Sequence, residues 1–416
     1  METASELGSR PVDRCDALGA APFSESEVFL SRPYLTASHR ASLTRIEGWM
    51  AAAGMSVRLD PMANLIGRYE GLELGAPALL IGSHIDTVPD GGRYDGALGI
   101  MLGIECVDVF FKAGKRFPFA IEVIAFGDEE GSRFPASMLC SRAIAGAVNG
   151  TVLDIADENG LSLRDALAAF GLDPAFAGHA ARKPREILAY IEAHIEQGPV
   201  LEAENLPIGV VTGVAAQLRI KGKFIGKAGH AGTTPMNLRL DSIAAAAESV
   251  LAVERICKSG PAELVGTVGR IVTSTGAFNV FAGESEVYVD VRAPMAVVRD
   301  QAANAIEDAF HAIAKARGLG LEFARVQDLP GKPCDHRIQT LFGKAVEAVG
   351  VNPRFLISGA GHDAMAIADL APMGMLFIRC ESGVSHNAAE KVAPEDVEYA
   401  TRAMVAFCEK LAETGL

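Results

Sequence analysis

Two apolar runs in the first third of the chain constrain its fold more than any other feature. Ala78-Leu79-Leu80-Ile81 follows Pro77 and stops at Gly82, and Phe119 to Phe126 is a second, longer run. Their length and flanking breakers suit buried strands. Between them, Ala97 to Phe111 has helical periodicity, and Ser137 to Ala145 reads as a further helix. Strands alternating with helices imply a mostly parallel sheet covered on both faces. Functional groups in such sheets collect beyond the carboxyl ends of the strands.

From about Gly213 the texture changes. Gln217 to Phe224 alternates apolar and polar residues, as a half-exposed strand does. A helix over Asp241–Cys257, strands over Leu264–Val272 and Ser285–Val291, a helix over Asp300–Arg317 and a strand over Leu321–Val326 follow. The order β-α-β-β-α-β matches a ferredoxin-like split unit. After Pro330 the α/β texture returns, with a helix near Ile338–Val349 and a strand over Met375–Ile378. The expectation is an α/β protein: a mostly parallel-sheet domain from residues 1–213 and 330–416, with an inserted ferredoxin-like α+β domain over 214–329.

At 416 residues, with 49 % hydrophobic and 22 % charged, the chain can bury a sizeable core. Its 38 basic against 52 acidic residues argue against nucleic acid or an anionic membrane as partner. The seven dispersed cysteines read as reduced, mostly buried thiols. The polar segment Met1–Glu6 does not read as a signal peptide, and no apolar run is long enough to span a bilayer. Together these point to the cytoplasm.

Five segments place metal-binding side chains in or just after strand-like runs: His84-Ile85-Asp86 with Asp95, Asp128-Glu129-Glu130, His194 between Glu192 and Glu196, His362-Asp363, and His386. Imidazole and carboxylate without thiolate suit a borderline or hard divalent ion. Asp86 suits the partner role that a metal-bound imidazole needs on its other nitrogen. Asp95, at a helix start, reads either as a ligand or as a helix cap. Glu129 and Glu130 point in opposite directions if extended, so one can grip a metal while its neighbour faces the reacting water. Glu192, His194 and Glu196 fall on one face of a strand. Gly359-Ala360-Gly361-His362-Asp363 reads as a small-residue turn opening a helix, where free N–H groups receive an oxyanion or Asp363 simply caps. Arg292 closes a strand and reads as a carboxylate grip or an ordinary surface residue.

Assembled in order, Gly82–Thr87, Asp128–Phe134, His194–Gly198 and Gly359–Ala364 resemble the hydantoinase/carbamoylase branch of the dinuclear aminoacylase and carboxypeptidase superfamily. The resemblance runs from about residue 10 to the C-terminus. It implies two divalent ions per subunit, zinc or manganese with cobalt or nickel as alternatives. One would take His84 and His194, the other Glu130 and His386, with Asp95 between them. Glu129 would be the general base, and Asp86 would orient His84. Gln197, Asn279, Arg292, Gly361 and His362 would bind substrate. His230 would reach in from a neighbouring subunit, so the inserted domain would be both lid and dimer interface of a homodimer. Two positions depart from the branch: Cys140 where glycine is more usual, and Phe281-Ala282 where Ile-Pro is commoner.

The reaction this resemblance implies is hydrolysis of a ureido C–N bond on a small carboxylate-bearing substrate. Allantoate is the first choice, on the resemblance of Phe126–Phe134 and the Arg142 region. An N-carbamoyl-L-amino acid, β-ureidopropionate or a peptide-like substrate is the alternative within the enzyme class. A metal-stabilised binding protein is the alternative outside it.

Overall fold

The computed structural model describes residues 4–148, 150–275 and 277–415. Met1–Thr3, where the polar N-terminal segment begins, lie outside the described residues. The chain forms two compact units, Met1–Thr212 with Pro333–Leu416, and Gly213–Lys332.

The first unit is built on a mixed sheet. Its centre is four parallel strands in the order Ala120–Phe126, Ala78–His84, Ile187–Ile195 and Met373–Ile378. The first two are buried at every position, which explains why they read as continuous apolar runs. The register pairs His84 with Phe126 and Phe377 with His194, so all four strands deliver their carboxyl ends to one edge. The flanking strands pair antiparallel with their neighbours: Leu65–Tyr69 with Ala120–Phe126 and Ser56–Leu59 with Leu65–Tyr69 on one side, Ile208–Val214 with Met373–Ile378 on the other. The sheet is thus less uniformly parallel than the sequence suggests.

Gly82 does not end its strand, as its breaker character had implied. The strand continues to His84. A Cβ at Gly82 would lie 2.9 Å from the Phe126 ring and 3.1 Å from that of Tyr190. The glycine is there for close packing between neighbouring strands. The Ser137–Ala145 helix is shorter than its pattern, spanning Leu139–Ile144.

The second unit carries a four-stranded antiparallel sheet in the order Gly320–Leu329, Ala216–Ile225, Glu284–Ala293, Val265–Thr273. Strand Glu284–Ala293 alternates buried and less buried positions. Its buried face, with Leu218, Ile220 and Phe224 of the neighbouring strand, packs on Ala245, Val253, Ile306 and Phe310 from helices Ser242–Lys258 and Ala296–Arg317. One apolar face per strand needs one layer of helix, and that is what this unit has. No helix among the described residues is long and apolar enough to cross a membrane. All seven cysteines are free and buried.

Candidate metal centre

The strand Ala78–His84 ends on a histidine that is 2 % exposed. Asp86 folds back on it, with its main-chain oxygen 3.1 Å and its Oδ1 3.4 Å from His84 Nδ1. The opposite nitrogen, Nε2, lies 3.7 Å from Oδ1 of Asp95. Asp95 stands in the loop before helix Ala97–Lys112, but its side chain does not cap that helix, whose N-cap is Gly96. Instead its Oδ1 is 3.1 Å from His194 Nε2, and its Oδ2 is 3.2 Å from His386 Nε2. That same His386 nitrogen is 3.3 Å from Glu130 Oε1. Two trios result, His84–Asp95–His194 and Asp95–Glu130–His386, each with donor atoms within 4.8 Å of one another. Asp95 belongs to both.

Glu129 and Glu130 follow strand Ala120–Phe126, and their backbone N–H groups donate to Asp86 Oδ1 at 3.0 Å and Oδ2 at 3.2 Å. One aspartate therefore sets both His84 and the acidic loop. The Glu129 side chain lies near Gly361, whose hypothetical Cβ would be 3.6 Å from Glu129 Oε1. Burial, then the carboxylates of Glu130, Asp363 and Asp86, push the Glu129 carboxyl well above its ordinary pKa against the opposing effect of His84. A carboxyl so raised holds a proton more firmly than an ordinary glutamate, which suits a group that must accept one.

The rest of the centre is polarised the other way. Burial opposes a charge on His84, yet Asp86 and Asp95 outweigh it and hold its pKa well above the usual imidazole value. Burial would raise Asp95 too, but the facing His194, His386 and His84 nitrogens hold it well below the carboxylate range. Asp95 and Glu130 lift His386 to about 10. The carboxylates thus favour positive charge among the histidines.

Divalent ions fit this donor set. His194 Nε2 is buried with no hydrogen-bond partner, although a carboxylate oxygen faces it at 3.1 Å. A nitrogen and an oxygen that face each other without a hydrogen bond are the arrangement that a shared cation satisfies. The nitrogen and oxygen donors admit zinc, manganese, cobalt or nickel.

Glu192 and Glu196 have other work than their shared face with His194 suggests. Glu192 accepts from Ser83 Oγ at 2.9 Å, Tyr190 Oη at 3.0 Å and the Ala364 N–H at 3.1 Å. Glu196 accepts the N–H groups of Val200 and Leu201 at 2.8 and 2.9 Å, at the start of a short helix. The Gly359–Asp363 turn changes meaning accordingly. Its Ala364 N–H is taken by Glu192, the N-cap is His362, and Asp363 is buried within the turn. His362, 1 % exposed, is 2.7 Å from Ser358 Oγ through Nε2, and its ring centroid is 4.5 Å from that of His194.

Gln197 sits at the same centre, its Nε2 donating to Asp95 Oδ2 at 3.1 Å and to Ser385 Oγ at 3.2 Å. The other three predicted substrate residues belong to the second unit. His230 and Asn279 are adjacent there: His230 pairs with Val280, and the Ala231 N–H donates to the Asn279 oxygen at 2.8 Å. Both side chains are exposed. Arg292 holds Asp290, two residues earlier, through Nε at 2.8 Å and Nη2 at 3.0 Å. Of the two departures noted in the sequence, Cys140 is buried with its Sγ 3.2 Å from the Met62 oxygen, and Phe281 packs against Gly229 and beneath Arg239.

Sequence reasoning missed Glu390, which is 5 % exposed and accepts the Tyr94 and Asp95 N–H groups. A glutamate four residues after His386 was its only trace in the sequence.

Residues 80–410 match the peptidase family M20/M25/M40. The chain belongs to that family. It is 41 % identical to the N-carbamoyl-L-amino acid amidohydrolase of Geobacillus stearothermophilus, over 88 % of this chain and 90 % of that one. It is 37 % identical to allantoate deiminase 2 of Glycine max, over 93 % and 86 % respectively. Among solved structures, a hydantoinase/carbamoylase family amidase from Burkholderia multivorans superposes with a TM-score of 0.91 at 32 % identity, covering 99 % of this chain and 98 % of that one. Within M20/M25/M40 the chain is a hydantoinase/carbamoylase-type amidase, a hydrolase of non-peptide C–N bonds.

Proposed function

We propose that this amidase hydrolyses a ureido C–N bond on a small substrate that also carries a carboxylate. The observation that carries the reading is Asp95, whose two oxygens face separate histidines while Glu129 stands beside the same centre with a raised pKa. His84 and His194 would hold one divalent ion, Glu130 and His386 the other, with Asp95 shared. Such ions supply Lewis acidity and an acidified water.

Glu129 takes a proton from the attacking water and returns it to the leaving nitrogen. Asp86 keeps the Glu129 backbone and the His84 ring in register. For a substrate R–NH–CO–NH₂, addition of one water releases R–NH₂, ammonia and carbon dioxide. Gln197 and His362 would meet substrate at the centre, with Gly361 leaving room beside Glu129. For His362 this requires its contact with Ser358 to open. His230, Asn279 and Arg292 would also bind substrate, and the inserted ferredoxin-like unit would act as lid and dimer interface of a cytoplasmic homodimer. Arg292 would then exchange Asp290 for a substrate carboxylate.

Allantoate is our first substrate, supported by the resemblance over Phe126–Phe134 and by allantoate deiminases among the relatives. N-carbamoyl-L-amino acids are the second, supported by the amidohydrolases of that name. Ammonia release from both, by protein reconstituted with zinc or manganese, tests the proposal. Turnover of allantoate above N-carbamoyl amino acids supports it as stated, and the reverse order moves the substrate to the second class. Activity on dipeptides alone overturns the ureido reading.

A further inference from the structure

The loop that carries His386 also carries the group that fixes Asp95. Glu390 Oε1 accepts the backbone N–H of Tyr94 at 2.8 Å and that of Asp95 at 3.0 Å. Its Oε2 accepts from Ser385 Oγ at 3.0 Å, and the same hydroxyl lies 2.9 Å from Asp95 Oδ2. The two loops are 295 positions apart in the chain, yet one carboxylate clamps the backbone of one to the side chain of the other.

The surroundings are shaped to admit that carboxylate. A Cβ on Gly92 would fall 2.0 Å from Glu390 Cδ, so only glycine leaves the space. The Ala389 N–H donates to Asn387 Oδ1 at 2.9 Å and the Glu390 N–H to the Asn387 oxygen at 3.0 Å, which turns the chain so that Glu390 faces inward behind His386. Glu390 hydrogen-bonds to backbone N–H groups and to Ser385, not to the side-chain donor atoms of either histidine trio. It acts on the Asp95 backbone, and through it on where the two Asp95 oxygens lie.

We propose that Glu390 is a positioning residue that sets the shared carboxylate of Asp95 between the two histidine groups. The inference rests on the reading of Asp95 as a shared metal ligand. It requires an acceptor oxygen at full glutamate reach; negative charge alone is not enough. Partners that orient metal ligands typically contribute 10- to 100-fold in affinity.

The experiment titrates the metal-free protein with Zn²⁺ in competition with a chromophoric chelator. It compares wild type, Glu390→Asp, Glu390→Gln and Asp95→Asn, with circular dichroism to confirm folding. Glu390→Asp keeps the charge but is one methylene too short to meet both N–H groups, whereas Glu390→Gln keeps an acceptor oxygen in place. Positioning predicts that Glu390→Asp weakens the second equivalent of Zn²⁺ by roughly 10- to 100-fold, while Glu390→Gln recovers most of that loss. In the Zn²⁺-loaded protein, kcat should fall with KM little changed. Wild-type affinity for both equivalents in Glu390→Asp, or a larger loss in Glu390→Gln than in Glu390→Asp, overturns the proposal. Two tight equivalents in Asp95→Asn would instead remove the shared-ligand reading itself.

Discussion

Asp86 and Glu129 are joined by a 3.0 Å hydrogen bond from the Glu129 N–H to Asp86 Oδ1, the same oxygen that stands 3.4 Å from His84 Nδ1. A single buried carboxylate therefore registers the proposed base against a proposed metal ligand. Its other oxygen accepts the Glu130 N–H. In Asp86→Asn one of these oxygens becomes an N–H₂ that faces a donor. We expect metal affinity and kcat to fall together by roughly 10- to 100-fold, read by metal analysis after dialysis and by ammonia release.

Glu129→Gln separates chemistry from metal binding. The amide keeps the shape of the side chain and loses the proton-accepting oxygen. kcat should drop by roughly 100- to 10,000-fold while metal content stays at the wild-type level. Wild-type turnover in this variant would remove Glu129 as the base.

Gly96→Ala probes the loop that carries Asp95. Gly96 has φ +69°, and an added Cβ would lie 2.5 Å from the His84 ring. The His84 ring or the loop must then move, and the left-handed backbone disfavours alanine as well. The variant should lose about 1–3 kcal/mol of stability in urea melts and bind metal more weakly. A Gly75→Ala control also sits at positive φ but meets nothing within 4 Å, so it should keep metal affinity.

His39 predicts an acid sensitivity unrelated to metal. It is fully buried, accepts the Leu35 N–H through Nδ1, and stacks on Phe170. Burial, then Arg32, Arg40 and Arg133, lower its pKa to about 3. The folded state thus binds a proton less readily than the unfolded one, whose histidine titrates near 6.5. Stability from this group is present above that value and is lost as pH falls from 6.5 toward 3. The loss between pH 7 and 5 should be on the order of 2 kcal/mol. Urea midpoints of metal-free wild type and His39→Gln across that range check it, since the variant's pH slope should be shallower. Parallel slopes would contradict the assignment.

The parts of this molecule legible in its sequence are those with a local signature. Strands Ala78–His84 and Ala120–Phe126 were visible because burial on both faces demands mostly apolar side chains. His84, Glu129 and Glu130 drew notice because they follow those runs directly. The antiparallel flanking strands were not seen, since Ser56–Leu59 is short and partly exposed. Gly82 misled because a glycine needed for strand packing looks the same as a strand terminator. Glu192 looked like a possible ligand because alternation places it with His194, but alternation says nothing of Ser83, Tyr190 and Ala364, which occupy its oxygens.

Sequence alone therefore determined the donor chemistry, imidazole and carboxylate without thiolate, and the strand–helix alternation that carries it. Only the tertiary structure decided which Asp95 oxygen faces which histidine, and that Glu390 holds Asp95 from 295 residues away. The reason is physical. Periodicity records what a residue's immediate neighbours require of it, whereas the meeting of Asp95, His194 and Glu390 depends on strand order and register across the sheet, which no local pattern encodes.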